Sequence, residues 1–182
     1  MSAVLKPDPR EPVLDVQHLS VDIATPRGPL RAVRDVSFQV RRGETLCIVG
    51  ESGCGKSITS LALMSLLPAA ATRRATVLSL LGEDLLRATS KRINALRGNR
   101  MAMIFQEPMT ALNPAYTIGN QLMESYLLHR GGGAQKARDR AVELLGKVGI
   151  ASAAERMGQY PHQLSGGLRQ RVMIAMALIC SP

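Results

Sequence analysis

Residues 50–57 read GESGCGKS, and this stretch decides how the rest of the chain is interpreted. It matches the pattern G-x-x-x-x-G-K-[ST] at every fixed position. An apolar run of strand length, 44–49, precedes it, and an apolar segment, 58–67, follows it up to Pro68. Strand, glycine-rich turn and helix in this order are the setting that a phosphate-binding loop requires, so the stretch predicts one. The alternative is an ordinary glycine-rich turn.

The residue types in this stretch suit a nucleoside triphosphate with its metal ion. Its glycines permit a tight turn that brings backbone N–H groups to phosphate oxygens, and the next helix adds its positive dipole end. Lys56 would supply a point charge to the outer phosphates, and Ser57 a hydroxyl to Mg²⁺. The predicted phosphate-binding residues are Gly50, Glu51, Ser52, Gly53, Cys54, Gly55, Lys56 and Ser57.

A second candidate anion site lies at residues 164–171, which read LSGGLRQR. Ser165 stands at an N-cap position, and Gly166 and Gly167 leave backbone N–H groups uncovered at the start of an apolar helix. A lone Ser-Gly-Gly is more often a flexible turn. The length of the pattern, downstream of a complete phosphate loop, is what favours a binding site.

Between the two, residues 101–105 read MAMIF and predict a buried strand. The strand leads into residues 106–114, where two prolines and an Asn-Pro step predict a loop. Gln106 lies where the strand meets the loop. Taken alone, a glutamine there is a solvated polar residue, and its position between the other two motifs makes it a candidate site residue.

The three motifs resemble those of ABC-type ATPases. The resemblance extends to the full sequences of the three segments, GESGCGKS, IFQEPMTALNP and YPHQLSGGLRQRVMIAMAL. They are similar to those of the ATP-binding subunits of peptide-type ABC importers, the group that takes up dipeptides, oligopeptides and nickel. The likeness runs from about Val13 to the last residue. It implies an α/β fold, with a P-loop NTPase (RecA-like) core, an antiparallel β lobe and an α-helical subdomain.

The same resemblance implies roles and partners. Gln106 would be the glutamine that reaches Mg²⁺ and the attacking water, so Ser57 and Gln106 are the expected metal contacts. A second ATP-binding subunit, identical or different, would pair head to tail and present its ATP to Ser165, Gly166, Gly167 and Gln170. Membrane permease subunits are the other direct partners, and a substrate-binding protein is an indirect one. The implied location is peripheral, at the cytoplasmic face of the inner (plasma) membrane.

Two departures from the family pattern affect the expected activity. Ile23 stands where members usually place an aromatic ring, and base–aromatic stacking contributes about 1–3 kcal/mol. The sequence also stops at Pro182, before the family's Mg²⁺-holding Asp, its water-polarising Glu and its switch His. Hydrolysis needs a held metal and an oriented water. The chain is therefore expected to be an N-terminal piece that binds ATP weakly and does not hydrolyse it, with no general base of its own.

Composition excludes some other functions. The 23 basic and 14 acidic residues give a net charge of +9, but the basic residues are scattered along the chain. Three tyrosines, two phenylalanines and no tryptophan cannot form an aromatic stacking array, so nucleic acid is not predicted as a partner. The N-terminus lacks an apolar signal-peptide core, no run approaches the roughly 18 apolar residues of a membrane span, and three cysteines without metal spacing indicate reduced thiols.

Periodicity gives the coarse organisation. Alternating residues predict antiparallel strands at 13–23 and 32–40, and a further strand at 77–81. Glu83 and Asp84 follow that strand but precede the predicted glutamine loop, so they are read as a turn and not as metal ligands. Helical periodicity begins near residue 121 and is clearest in the amphipathic segment 135–148, after the hinge Gly131-Gly132-Gly133.

The predicted domains follow these motifs. Residues 1–105 would form the nucleotide-binding core with its β lobe and phosphate loop, residues 106–164 the glutamine loop and helical subdomain, and residues 165–182 the signature motif and the helix after it. Two other functions stay open, namely a module that binds nucleotide or partner without turnover, and a soluble ABC ATPase of DNA repair or translation. The transported solute would be chosen by other polypeptides, because these subunits do not contact the cargo.

Overall fold

A computed structural model describes residues 11–106 and 111–182. These residues form two compact units that divide between Ile93 and Asn94. The first unit is built on an antiparallel sheet and contains the helix Lys56–Leu63, and a second helix, Ser90–Leu96, begins at its end. The second unit is helical. The mixed α/β class and the antiparallel β lobe expected from the sequence are confirmed.

The sheet begins with a long hairpin of strands β1 (Leu14–Thr25) and β2 (Gly28–Val40). Three shorter strands complete it: β3 (Ala71–Arg74), β4 (Val77–Leu80) and β5 (Glu83–Asp84). The order is β2-β1-β4-β5, and β3 and β4 pair with successive parts of the same edge of β1. Val16, Leu19 and Val21 of β1 are almost fully buried in the core of this unit. The pairing register with β2 shifts between Val16 and Leu19, which changes the phase of the alternation and lets both residues face the core.

Helix α1 (Lys56–Leu63) follows the glycine-rich stretch, as predicted. It ends four residues before the apolar run does, because Ser65 adopts a left-handed conformation with φ of 53°. A residue in that conformation turns the chain out of the helix before Pro68. Glu83 and Asp84 belong to the short strand β5 instead of a plain turn, and the Glu83 carboxylate pairs with Arg92 at 2.6 Å.

Two predicted strands are wrong. Residues 44–49 form no strand, and the Val49 side chain is 89% exposed. Residues 101–105 make only one isolated bridge, between Met101 and Arg97, and Phe105 is 45% exposed. Both are apolar runs of the kind that forms strands buried on both faces, and such a strand requires hydrogen-bonded neighbours. No strand in residues 11–106 or 111–182 lies beside either run.

The second unit consists of short and medium helices. After α2 (Ser90–Leu96), which crosses the division, come α3 (Ile118–Arg130), α4 (Ala134–Lys147), α5 (Ala153–Arg156) and α6 (Gly166–Leu178), with a 3₁₀ turn at Pro161–Gln163. The predicted glycine hinge separates α3 from α4, and all three of its glycines have positive φ. Within the described part of the chain, none of the helices has the length and apolar character to cross a bilayer.

The helices enclose one apolar core. Its buried members are Leu112, Ile118, Leu122, Ala141, Leu144, Leu145, Ile150, Met157, Leu164, Val172, Met173, Ala175, Ile179 and Cys180. The apolar face predicted for 135–148 faces this core, because Ala141, Leu144 and Leu145 are among its members, and Ala137 on the same helix is buried as well.

Leu145→Ala should lower the free energy of unfolding by about 3 kcal/mol, because Leu145 is fully buried and the change leaves a cavity. Leu128→Ala is the matched control, since the Leu128 side chain is 76% exposed and its loss should cost less than about 0.5 kcal/mol. Urea unfolding followed by circular dichroism measures both. Equal destabilisation by the two changes would contradict the core described here.

Candidate functional site

The glycine-rich loop sits directly on the β hairpin. Gly55, the N-cap residue of α1, has φ of 95°, a conformation that residues with a Cβ atom rarely adopt. A Cβ atom at Gly55 would also collide with the carbonyl oxygen of Ala32 on β2. Gly53 shares the left-handed conformation, with φ of 83°, but has open space around it. Two glycines are therefore required by backbone conformation, and one of them also by contact.

The loop presents an uncapped helix start. No side chain caps the N-terminus of α1, and its first turn holds no acidic residue. The first hydrogen bond within the turn runs from the N–H of Thr59 to the carbonyl oxygen of Gly55, at 2.8 Å. The N–H groups of the residues between them lie at the positive end of the helix dipole. This arrangement favours an anion.

Lys56 folds its side chain back over the loop. Its Nζ donates to the carbonyl oxygens of Gly50 and Glu51, both at 2.7 Å, and lies 3.4 Å from the Sγ of Cys54. The ammonium group is thereby held on the loop, at the helix start, and not extended into solvent. Ser57 is exposed one residue further on, in the first helical turn.

These residues fit a phosphate chain and its magnesium ion. The loop offers backbone donors and one ammonium group, and Ser57 offers an oxygen, the donor type that Mg²⁺ prefers. Among the residues that the structure describes, no cluster of three or more His, Cys, Asp or Glu side chains forms a metal site. The Ser57 hydroxyl is the group of this loop that would contact a magnesium ion carried by a bound phosphate chain.

The second candidate site has the predicted local geometry. Ser165 is the N-cap of α6, with φ of −65° and ψ of 160°, and its hydroxyl accepts from the N–H of Leu168 at 3.4 Å. Gly166 and Gly167 are exposed, and a Cβ atom at either would meet nothing within 4 Å. Gln170 is exposed on the next turn. The helix start is open to a ligand from outside.

Gln106 is exposed and follows the irregular segment 102–105. Four residues of its predicted loop, 107–110, lie outside the described residues. The phosphate loop belongs to the first compact unit, whereas Gln106 and Ser165 belong to the second. The structure brings residues 50–57 together in one site and Ser165 to Gln170 together in another.

Sequence reasoning missed one contact of the loop. Nothing in the sequence singles out Ala32, because the contact with Gly55 is made by its backbone oxygen. Ile23, the predicted non-aromatic position, pairs with Leu30 across the hairpin. Leu30 is 56% exposed. The hairpin presents aliphatic side chains there, and the loss of base stacking inferred from Ile23 stays a prediction.

The cysteines are all free thiols. Cys47 and Cys54 are exposed, while Cys180 is buried at the end of α6. Burial raises the pKa of the Cys180 thiol above its usual value, and the nearby Arg130 and Arg140 partly oppose that rise. The expected absence of disulfides agrees with these positions.

An uncapped helix start behind a glycine-rich loop and a second serine-capped helix start define a P-loop nucleotide-binding cassette. The chain belongs to the ABC transporter family, because the model of that family matches residues 33–182.

Similar proteins within that family include ATP-binding proteins of dipeptide and oligopeptide transport. The chain is 50% identical over 173 residues to the dipeptide transport ATP-binding protein DppD of Bacillus subtilis, covering 94% of this chain and 52% of that protein. It is 49% identical over 170 residues to DppD of Escherichia coli, and the match covers 93% of this chain and 52% of that protein. It is 47% identical over 181 residues to the oligopeptide transport ATP-binding protein OppD of Salmonella typhimurium, and the match covers 100% of this chain and 54% of that protein. The chain thus spans about half the length of these relatives.

Solved structures confirm the fold. The dimeric structure of MJ0796, a bacterial ABC transporter cassette, matches with a TM-score of 0.80 at 23% identity, covering 93% of this chain and 70% of that one. A post-hydrolysis dimer of the same cassette, bound to ADP and Pi, matches with a TM-score of 0.79 at 23% identity over the same shares.

Proposed function

We propose that residues 50–57 bind the phosphate chain of ATP with magnesium. The observation that carries this is the uncapped start of α1, which lies behind two left-handed glycines and beside the ammonium group of Lys56. Lys56 would exchange its two carbonyl contacts for the outer phosphate oxygens, which are stronger acceptors for a charged donor. Bound magnesium would neutralise phosphate charge, with the Ser57 hydroxyl as its contact from this loop.

We propose further that the chain pairs with a second ATP-binding subunit. Ser165 and the two glycines after it offer a helix start that faces solvent, which is suited to the phosphate of a neighbouring subunit's ATP. Gln170 would contact the same nucleotide. The dimeric ABC cassettes that share this fold support the pairing as a proposal.

The proposed cellular role is peptide import. The relatives at 47–50% identity are named as dipeptide and oligopeptide transport ATP-binding proteins. We infer that the chain is the ATP-binding part of a subunit that couples ATP binding and hydrolysis to peptide uptake through membrane permease subunits, at the cytoplasmic face of the plasma membrane. A substrate-binding protein would deliver the peptide to the permease without touching this subunit.

Uptake measurements in the host organism test this role. Deleting the coding sequence should abolish uptake of a radiolabelled dipeptide or tripeptide and leave uptake of free amino acids unchanged. The wild-type gene should restore peptide uptake, and the Lys56→Ala allele should not. Unchanged uptake of both peptides in the deletion strain would contradict the proposal.

Ser165→Ala should separate the two binding sites. It removes an N-cap and should cost about 1 kcal/mol of stability. Binding of MgATP by the single chain should stay within about twofold, because the phosphate that Ser165 serves belongs to another subunit. ATP-dependent dimerisation, measured by light scattering, should fall.

The matched control is Thr117→Ala. Thr117 caps α3 in the same way, accepting from the N–H of Asn120 at 3.2 Å, so its loss should cost similar stability without affecting dimerisation. Equal effects of the two changes on dimerisation, or loss of single-chain affinity in Ser165→Ala, would argue against a role in the partner's site.

A further inference from the structure

Arg73 is a half-buried arginine that donates hydrogen bonds to neutral acceptors. Its guanidinium donates to the carbonyl oxygens of Ala62 and Leu85 and to the hydroxyl of Ser65. Burial lowers the pKa of this guanidinium. Burying a charged group is costly unless its hydrogen bonds are made, so Arg73 is not an ordinary solvated surface arginine.

Strand geometry explains why Arg73 points inward. Side chains alternate along β3 and the residues after it, so Arg73 shares its face with Ala71 and Ala75 while Arg74 faces solvent. The long arginine side chain then crosses to the end of α1. The Ser65 and Leu85 oxygens lie 3.0 and 3.4 Å from its terminal nitrogens.

At this point α1 ends in a Schellman turn. The N–H of Ser65 donates to the carbonyl oxygen of Ala62 at 3.2 Å, and the N–H of Leu66 to that of Leu61 at 2.8 Å. Ser65 holds a left-handed conformation, which is strained for a residue with a Cβ atom. Arg73 stabilises the turn from outside, and its positive charge lies at the negative end of the helix dipole.

Few other contacts hold α1. Thr59 and Ala62 are its only buried residues, and the helix is eight residues long. At its start, Gly55 lies against Ala32 and Val33 of β2. Val21 of β1 is in register with Val33 on one side and with Arg73 on the other. The helix therefore crosses the sheet from β2 to β3 and is fixed at both ends.

We propose that Arg73 is a positioning residue for the phosphate loop. By holding the carbonyl end of α1 on β3, it sets the direction in which the N–H groups at the other end of this short helix point. The proposal rests on the proposed binding of ATP phosphates by residues 50–57. Arg73 itself does not touch the nucleotide.

The neighbouring arginine supplies a matched control. Arg74 carries the same charge on the same strand, but its side chain is 67% exposed and pairs with Asp22 on the sheet surface. Arg74→Met removes the same charge from the same region without freeing α1. Arg73→Met removes the hydrogen bonds that hold the end of α1. Arg73→Lys keeps the charge but can donate to fewer of the three acceptors.

Two measurements on the full chain test the proposal. Titration calorimetry with MgATP, at a temperature where circular dichroism shows every variant folded, should give an affinity about five- to tenfold weaker for Arg73→Met, partly restored in Arg73→Lys and within about twofold of wild type in Arg74→Met. Without nucleotide, ¹⁵N amide resonances of Gly53, Gly55, Lys56 and Ser57 should shift in Arg73→Met and not in Arg74→Met.

The outcomes are distinguishable. A wild-type chain that binds no MgATP would refute the assignment of residues 50–57, whatever Arg73 does. Wild-type binding together with unchanged affinity and unchanged loop amides in Arg73→Met would overturn the positioning role. If Arg73→Met fails to fold, Arg73→Lys decides, because wild-type affinity and wild-type loop amides in that folded variant would equally refute the proposal.

Discussion

Lys56→Ala is expected to weaken MgATP binding by this chain about 100-fold or more, equivalent to about 2.7 kcal/mol. The Lys56 ammonium lies 2.7 Å from two carbonyl oxygens of the loop, so it is held at the start of α1, where the proposed phosphate site lies. Hydrogen bonds between a cation and a phosphate are among the strong ones, and alanine replaces none of them. Fluorescence anisotropy with a labelled ATP analogue measures the loss.

Lys91→Ala is the control for charge alone. Lys91 is exposed on α2, in the same compact unit as the loop, and its removal should leave the affinity within about twofold. An affinity unchanged in Lys56→Ala, or reduced equally in both variants, would contradict the role given to Lys56.

Gly55→Ala should disrupt both the loop and the stability of the first unit. The new Cβ atom would collide with the Ala32 carbonyl oxygen, and φ of 95° is strained for any residue with a side chain. Collision and strain together should cost about 2–4 kcal/mol and displace the loop from the hairpin. Nucleotide binding should be lost with it.

Gly53→Ala separates strain from collision. Gly53 has φ of 83° but open space around it, so only the conformational cost of about 1–2 kcal/mol should appear. Urea unfolding and the same anisotropy assay compare the two variants. Equal stability of Gly55→Ala and Gly53→Ala would show that the contact between Gly55 and β2 is not formed.

Much of this architecture could be predicted because it depends on neighbouring residues. The β1–β2 hairpin follows from alternation on either side of the Pro26-Arg27 turn, α4 from its apolar face, and the cap of α6 from Ser165. The loop conformation before α1 was predictable because its glycines, its lysine and the following helix have a fixed spacing in the sequence, and its binding of phosphate stays a prediction.

The features that the sequence did not predict correctly depend on contacts between residues far apart in the chain. Residues 44–49 and 101–105 have the composition of buried strands, but strand formation depends on a neighbour that composition does not reveal. The contact of Gly55 with Ala32 involves a backbone oxygen, which any residue supplies. The alternation of Ala71, Arg73 and Ala75 indicates that the Arg73 side chain faces inward. The same pattern does not reveal its hydrogen-bond partners at the end of α1.

The most direct test of the central claim is a map of the amides that respond to nucleotide. In ¹H–¹⁵N spectra of the whole chain titrated with MgATP, the largest shifts should fall on the N–H groups of residues 52–57, and they should disappear in Lys56→Ala. Shifts centred on another part of the chain, or none at saturating MgATP, would contradict the claim that this loop binds the triphosphate.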